Sequence, residues 1–328
     1  MPQHRKPPLG LIRRTLAAAL LVLGAGVAHA DPATATTAAT ASQPPVPLLW
    51  KVSDADNSLY LLGSFHLLRP GDYPLSRDID DALADAEQVV FEIAPEELGS
   101  PMLGRQMGQA ALRSDGTTLD SELPAATREA LATWLAGNAG QLQGMQLQPQ
   151  MLQLFEPWFV GLMVTVAEMR KAGLDPGLGL DVHLARRATQ AGKPTGGLET
   201  VDEQVAFLDG MDRGEQLQFL QQALEGAAGG QAEIERLHAA WRSGDAEALW
   251  TGMAADMRQE FPDLYQRINV ARNAAWVPKL EARLAAPGTD DVLVVVGALH
   301  LLGEDGVVEQ LRAKGYEVER VCSACAGR

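Results

Sequence analysis

"GSFHLL" at residues 63–68 and "GALHLL" at residues 297–302 are almost the same six letters, placed toward opposite ends of one chain. Each copy follows an apolar run, "SLYLL" at 58–62 and "DVLVVV" at 291–296, of the kind that forms a buried strand. A segment with helical spacing and then another apolar run follow each copy. The repetition therefore predicts a strand–helix–strand unit at each end of the domain.

The predicted fold class is α/β, with two pseudo-symmetric strand–helix–strand halves that form one central sheet. In the first half, Ser76 caps a helix that leads to the strand "QVVFEI" at 88–93. In the second, a helix at 307–314 leads to the strand "YEVERV" at 316–321. Residues from about 95 to 285 have mostly helical patterns and are predicted as a large helical insertion, which one short strand ending at Glu199 interrupts.

The sequence divides into four predicted segments. Residues 1–30 have a basic start, an apolar stretch and a final Ala-His-Ala, which is typical of a secretory signal peptide. Residues 31–47 are rich in Ala, Thr, Ser and Pro and are predicted to be a disordered linker. A single domain is expected over 48–321, followed by a tail at 322–328 with a C-x-x-C pair.

This pattern predicts a periplasmic or secreted protein that keeps no stable membrane span after cleavage. The Cys322 and Cys325 thiols are expected to form a local disulfide in an oxidising compartment, with redox catalysis or metal binding as alternatives.

The charge of the chain limits its partners. The whole sequence has a formal net charge of −15, and residues 1–30 contain four basic and no acidic residues, so cleavage would leave −19. Such a surface repels nucleic acid and anionic membranes. We therefore expect no nucleic-acid partner and, instead, a peptide or small polar substrate; no oligomeric state is predicted.

The repeated histidines, His66 and His300, are the first candidates for chemistry. In α/β sheets the carboxyl ends of the strands form the edge where ligands bind, and a glycine at that point lets another group come close. If the halves pair about a two-fold axis, the imidazoles meet and supply half of a metal site. Glu92 ends a neighbouring apolar strand and is predicted to be the third ligand.

Two further residues have candidate catalytic roles. Glu199 ends its strand as Glu92 does, and it is predicted to be another ligand or the general base for a bound water. Arg272 precedes the second motif strand and is expected to hold a substrate carboxylate or a developing oxyanion. The simpler alternatives are strand-end hydrogen bonds for the histidines, a surface carboxylate for Glu92, a helix cap for Glu199 and a surface salt bridge for Arg272.

Several segments together resemble the TraB/GumN proteins, a family related to the Tiki metalloproteases and, more distantly, to erythromycin esterase and ChaN-type haem-binding proteins. The segments are "LYLLGSFHLL", "YPLSRDIDDALADAEQVVFEI", "GLGLDVHLARRATQAGKPTGGLETVDEQ", "ARNAAWVPKL" and "VLVVVGALHLLGEDGVVEQLRAKGYEVERV". The resemblance covers most of residues 48–321. It implies an α/β fold of two pseudo-symmetric halves whose site contains His66, Glu92 and His300, with Glu199 and Arg272 nearby.

These observations predict an exported metal-dependent hydrolase, peptidase-like, that uses a metal-activated water. The resemblance implies manganese or cobalt, and the ligand types also suit zinc. The sequence contains no G-x-S-x-G and no H-E-x-x-H motif. The alternatives are a non-catalytic periplasmic protein that binds a metal, haem or a glycan, and an accessory protein of polysaccharide export.

Overall fold

A computed structural model describes residues 43–145 and 147–325. The predicted signal peptide, most of the predicted linker and the last three residues of the tail lie outside the described residues. Within the described ranges, no helix is both long and apolar enough to cross a membrane.

The chain forms a mixed α/β structure around one six-stranded sheet, with order β4-β3-β5-β2-β1-β6. Strand β1 is antiparallel to both of its neighbours, and the β2–β5, β5–β3 and β3–β4 pairs are parallel. The strands are β1 Leu49–Ser53, β2 Ser58–Ser64, β3 Gln88–Ile93, β4 Thr195–Glu199, β5 Val292–Gly297 and β6 Glu317–Arg320. Every residue of β2 is buried, as an apolar run between two covered faces predicts.

Helices make up most of the rest. Short π-helical segments at Thr251–Ala255 and Gln266–Val270 join α12 to α13 and α14 to α15. The helices are α1 Arg77–Asp85, α2 Pro95–Leu98, α3 Pro101–Ala110, α4 Leu119–Glu122, α5 Ala125–Gly137, α6 Ala139–Gly144, α7 Pro157–Lys171, α8 Leu180–Gln190, α9 Val201–Asp209, α10 Arg213–Gly229, α11 Gln231–Ser243, α12 Ala246–Trp250, α13 Asp256–Glu260, α14 Pro262–Tyr265, α15 Ala271–Leu284 and α16 Val307–Ala313.

Both strand–helix–strand units are present, as β2–α1–β3 and β5–α16–β6. Strand β3 lies directly beside β5, whereas β1 separates β6 from β2. The pseudo-symmetric relation between the units therefore stays a prediction. The segment predicted as an insertion contains helices α2 to α15, and its strand β4 extends the same sheet beside β3.

The register of the sheet positions the two motifs. Ser64 pairs with Gly297 and Gly63 pairs with Val296, so the G-x-x-H segments are offset by one residue. Because β2, β5, β3 and β4 run parallel, their carboxyl ends lie at one edge. The residues just past those ends, together with Glu92 and Glu199, are thereby placed close to one another.

Near the C-terminus, Cys322 and Cys325 form a disulfide. The bridge closes a short 3₁₀ turn at Ser323–Cys325, and the Asp78 carboxylate accepts hydrogen bonds from the Ser323 backbone and hydroxyl. The pair therefore lies against the start of α1.

Candidate functional site

His66 follows β2 and is held by a carboxylate. Its Nδ1 atom lies 2.9 Å from Oδ1 of Asp181, and the Ser64 hydroxyl donates to the same oxygen at 3.0 Å. Asp181 is in the first turn of α8, and the Leu180 backbone N–H beside it donates to the Phe65 carbonyl at 3.2 Å. Nδ1 therefore carries a proton and Nε2 is directed at the site. Burial lowers the pKa of His66, but the charge and hydrogen bond of Asp181 outweigh it, so the pKa lies above its ordinary value.

Glu92, near the end of β3, is buried between cations and donors. Its Oε1 atom accepts the Gly297 backbone N–H at 2.7 Å and lies 3.7 Å from Nε2 of His66. Its Oε2 atom accepts from Nη2 of Arg272 at 2.7 Å. Burial raises the pKa of Glu92, but Arg272, the two histidines and the Gly297 amide lower it to about 2. The side chain is therefore an ionised carboxylate at any physiological pH.

His300 lies in a 3₁₀ turn that begins after β5. Its Nδ1 atom is 2.7 Å from Oδ1 of Asn273, and its Nε2 atom is 3.1 Å from Nη1 of Arg272. Because an amide oxygen only accepts and a guanidinium only donates, Nδ1 carries the proton and Nε2 is the acceptor. Burial and the charge of Arg272 lower the pKa of His300 to about 3, so the imidazole is neutral.

Arg272, on α15, is the centre of a hydrogen-bonded cluster. Its Nε and Nη2 atoms donate to Glu199 at 2.9 and 2.7 Å. The indole of Trp276 also donates to Glu199 at 2.9 Å, and the guanidinium lies 4.8 Å from the centre of that ring. Most of the donors of Arg272 are thus used within the protein, and both oxygens of Glu199 accept hydrogen bonds.

Gly297 leaves a small space between the imidazoles and the carboxylate. A Cβ atom at this position would lie 3.2 Å from Oε1 of Glu92, 3.3 Å from Nε2 of His66 and 3.6 Å from Cδ2 of His300. A side chain would therefore fill the space that these three groups face. The absence of a side chain at residue 297 is what keeps it open.

A narrow pocket with room for about one water molecule adjoins this space. Its polar wall consists of His66, Glu92, Asp181 and Gln204, and its apolar wall consists of Phe91, Ile93, Leu98 and Val295. The Oδ2 atom of Asp181 and both amide atoms of Gln204 are buried without a hydrogen-bond partner among the described residues. The pocket thus combines an apolar lining with a few buried polar atoms that have no partner among the described residues.

The structure brings all five predicted site residues into this one cluster. His66, Glu92 and His300 border the space at Gly297, and Glu199 reaches it through Arg272. His183 and His238 lie outside it: the ring of His183 packs against that of Tyr73 with centres 4.5 Å apart, and Nε2 of His238 is 2.9 Å from Oδ2 of Asp72.

The sequence prediction missed four residues: Asp181, Gln204, Asn273 and Trp276. Asn273 and Trp276 follow Arg272 by one and four residues on the same helix, and a helical plot of α15 would have placed Trp276 on the face of Arg272. Asp181 carried only the signal of an acidic residue in a first helical turn. Gln204 gave no signal, since a glutamine inside a helix is ordinary.

The types of side chain at the space are those that bind divalent metal ions, because two imidazoles and a carboxylate border it. In the described part of the chain, however, no group of three His, Cys, Asp or Glu side chains is arranged to hold one. The reason is Arg272, whose N–H groups engage Nε2 of His300 and Oε2 of Glu92. Nε2 of His66 and Oε1 of Glu92 remain as two possible metal-ligand atoms that face the space.

The model of the TraB/PrgY/gumN family matches residues 48–320. The chain belongs to this family. The resemblance found from the paired motifs is thereby confirmed.

Three relatives are similar to this TraB/PrgY/gumN protein at low sequence identity. Metalloprotease TIKI2 of Danio rerio is 30% identical over 190 residues, covering 50% of this chain and 36% of the relative. Metalloprotease TIKI1 of the same organism is 24% identical over 318 residues, covering 83% of this chain and 62% of the relative. YbaP of Escherichia coli, described as uncharacterized, is 28% identical over 171 residues, covering 52% of this chain and 61% of the relative.

The chain thus spans less than two thirds of the length of each of these relatives. No solved structure matches it. The comparisons therefore support the family and a distant relation to metalloproteases.

Proposed function

We propose that the protein is a metal-dependent hydrolase, peptidase-like, whose site is the space between His66, Glu92 and His300. The observation that carries this proposal is that the side chains of two distant motifs and a carboxylate converge on Gly297 at the carboxyl edge of the sheet. The name of the Tiki relatives, metalloprotease, supports the same chemistry.

The residues proposed to hold the ion are His66 through Nε2 and Glu92 through Oε1, which already face the space. His300 completes the set through Nε2 once Arg272 releases that atom. A Mn²⁺, Co²⁺ or Zn²⁺ ion held there would supply an activated water at neutral pH. Asp181 would orient His66 and increase its strength as a ligand, as carboxylates do for many metal-bound histidines.

The remaining roles follow from the hydrogen bonds. Oε1 of Glu92 faces the space, so Glu92 is proposed to bind the ion and, when that oxygen is not bonded to the ion, to accept a proton from a water there. Glu199 is proposed to position Arg272, because a role as ligand or base would require it to leave the donors of Arg272 and Trp276. Arg272 is proposed to steady the carbonyl oxygen of the substrate through Nη1 after it leaves His300.

A non-catalytic protein that binds a metal, haem or a glycan is the second candidate. The observation that favours it is the network of Arg272, which neutralises Glu92 and engages His300 in the absence of an ion.

Metal analysis of the purified protein beside His66→Ala, Glu92→Gln and His300→Ala tests the proposal. Each variant is expected to lose bound metal, and His183→Ala, which alters a histidine outside the cluster, is expected to retain it. Cleavage of a peptide library with added Mn²⁺, Co²⁺ or Zn²⁺ then separates a hydrolase from a binding protein. If the wild-type protein holds no metal under any loading condition, the hydrolase proposal is wrong.

Export is also a proposal. The basic start and apolar stretch of residues 1–30 support cleavage after Ala30 and a periplasmic or secreted location. N-terminal sequencing of the protein from cell fractions tests it, and an intact N-terminus in the cytoplasmic fraction would contradict it.

A further inference from the structure

The proposed site is too narrow for a peptide in this structure. His66 is 5%, Glu92 5% and His300 7% exposed, and the pocket beside them has room for about one water molecule. A peptide backbone does not fit such a space. Hydrolysis of a peptide therefore requires a segment of the protein to move away from the site.

Leu98 is the place where the wall of this pocket is thinnest. Among the described residues that line the pocket, Leu98 alone is partly exposed, and the other seven are buried. It is the last residue of α2, the four-residue helix that follows β3. Leu98 therefore separates the pocket from the solvent.

Residues 94–106, here called the cover segment, contain α2 and the start of α3. The structure describes all of them, and Leu103 is the only buried one. Leu103 packs with Ile93 and Val201 in a small hydrophobic cluster that is separate from the main core, which α3 rejoins at Met107. A segment with so little buried apolar surface is of the kind that opens locally while the rest of the protein stays folded.

Three side-chain hydrogen bonds hold the cover segment against β4 and α9. Each lies at or near the surface, where water replaces a lost partner, so each adds little to the stability of the closed position. The bonds run from the Thr195 hydroxyl to Glu96 at 2.6 Å, from the Val201 N–H to Glu97 at 3.0 Å and from the Gln106 amide to Asp202 at 2.5 Å.

We propose that the cover segment is a gate and that Leu98 is the residue that closes it over the pocket beside His66 and Glu92. When α2 moves outward, the entrance widens and a peptide reaches these two side chains. The flanks stay fixed, because Ile93 belongs to β3 and Met107 to the main core. This inference rests on the proposed function and specifies how access to its site is controlled.

The test measures how fast diethyl pyrocarbonate, a histidine reagent much larger than water, modifies His66 in the metal-free protein. The reactive atom is Nε2, which faces the space at Gly297. Peptide mapping by mass spectrometry reads every histidine in the same sample. His183 lies outside the site and is the internal reference, and the buried His238 gains reactivity only if the whole protein loosens.

Leu98→Ala is expected to raise the ratio of His66 to His183 modification about tenfold, because truncating the leucine weakens the closed position and widens the entrance. Met102→Ala is the matched control, since Met102 lies on the same segment, is 62% exposed and does not line the pocket. This control is expected to keep the wild-type ratio, and His238 is expected to stay unmodified in both variants.

A double variant, Gln106→Cys with Asp202→Cys, provides the opposite change. The native side chains are in hydrogen-bond contact, so a dibromobimane bridge between the two thiols holds the cover segment on α9. Cys322 and Cys325 form a disulfide and do not react with the reagent. Bridging is expected to lower the His66 ratio at least about tenfold relative to the same variant carrying two monobromobimane groups.

The inference is overturned if Leu98→Ala and wild type give the same ratio, whether fast or undetectable. It is also overturned if Met102→Ala raises the ratio as much as Leu98→Ala, or if the bridged and unbridged proteins are modified at equal, measurable rates. Either result would mean that the site is reached from another side.

Because this assay needs neither metal nor turnover, its outcome is separate from that of the proposed function. If Leu98 and the bridge control the modification of His66 while no metal binds under any loading condition, the hydrolase is rejected and the gate is kept. If metal-dependent cleavage of the peptide library proceeds at the wild-type rate in the bridged protein, the gate is rejected and the hydrolase is kept.

Discussion

The Nδ1 atom of His66 lies 2.9 Å from Oδ1 of Asp181, although 115 residues separate them in the chain. The contact fixes which ring nitrogen carries the proton and directs the other toward Glu92 and the space at Gly297. A helix from the middle of the chain thus determines how the first motif histidine is presented.

Asp181→Asn is expected to lower the pKa of His66, because the amide removes the charge that outweighs burial. Metal affinity is expected to fall about 10- to 100-fold, the usual effect of removing a carboxylate behind a ligand histidine. NMR titration of the His66 ring in metal-free protein gives the pKa, and calorimetry gives the affinity. Asp175→Asn, at an exposed position, is the control; an unchanged His66 titration in Asp181→Asn would refute this role.

Gly297→Ala is expected to block the site without unfolding the protein. The backbone at this glycine has φ −51° and ψ 135°, which an alanine adopts freely. Its methyl group would lie only 3.2 Å from Glu92 and 3.3 Å from His66, in the space that they face. Metal binding should fall at least about tenfold while the free energy of unfolding changes by less than about 1 kcal/mol, as measured by metal analysis and urea denaturation.

Gly63→Ala is expected to destabilise the protein without blocking the site. A Cβ atom at Gly63 would lie 3.0 Å from Cβ of Leu48 and 3.2 Å from the Ala298 backbone, inside the packed core. Overpacking of this kind costs about 1–3 kcal/mol of unfolding free energy. Urea denaturation should show this loss, and metal affinity measured on the folded fraction should stay close to wild type. Equal effects of the two alanine substitutions would contradict the assignment.

The two glycines show how far the sequence alone could lead. The apolar runs of β2 and β5 and their repeated ending predicted a shared sheet edge, because buried parallel strands are read from local composition. The five predicted site residues meet there for the same reason. The separate functions of the glycines were not predictable, since Gly63 and Gly297 lie in similar sequence motifs and differ in the groups that pack against them.

The residues that contact the site residues could not be predicted from the sequence, for a related reason. Asp181 and Gln204 come from α8 and α9, far from both motifs, and only the path of the chain around β4 brings them to the pocket. The pairing of Arg272 with Glu92 and Glu199 also depends on the packing of α15 over the sheet edge. Tertiary packing, which single-sequence patterns do not encode, sets these contacts.

Arg272→Met is expected to destabilise the protein by about 3–5 kcal/mol, because it leaves the buried carboxylates of Glu92 and Glu199 without their cation. Arg272→Lys should lose less unfolding free energy than Arg272→Met, since lysine keeps the positive charge, although it cannot make the several planar hydrogen bonds of arginine. Urea denaturation at pH 7 measures both. Arg77→Met, which removes an exposed arginine paired with Asp81, should change stability by less than about 0.5 kcal/mol, and a similar change in Arg272→Met would show that the cluster is not a stabilising ion-pair network.

The neutral imidazole of His300 makes the metal-free protein sensitive to acid. Its pKa is about 3 in the folded protein, well below the ordinary value near 6.5. Between these values the unfolded chain binds a proton that the folded protein does not, so this residue makes stability fall as the pH falls. His66 acts at higher pH, because its raised pKa adds stability that is lost only as the pH rises through that folded value.

His300→Gln should therefore flatten the pH dependence of the unfolding free energy between pH 6 and pH 4.5 by up to about 1.4 kcal/mol per pH unit. Urea denaturation of the metal-free proteins at several pH values provides the comparison. Above pH 7, where His300 is neutral in both folded and unfolded chains, the two curves should run parallel. Parallel curves over the acidic range as well would mean that His300 takes up its proton over the same pH range in the folded protein as in the unfolded chain, which would contradict an Nε2 atom held as the acceptor of a hydrogen bond from Arg272.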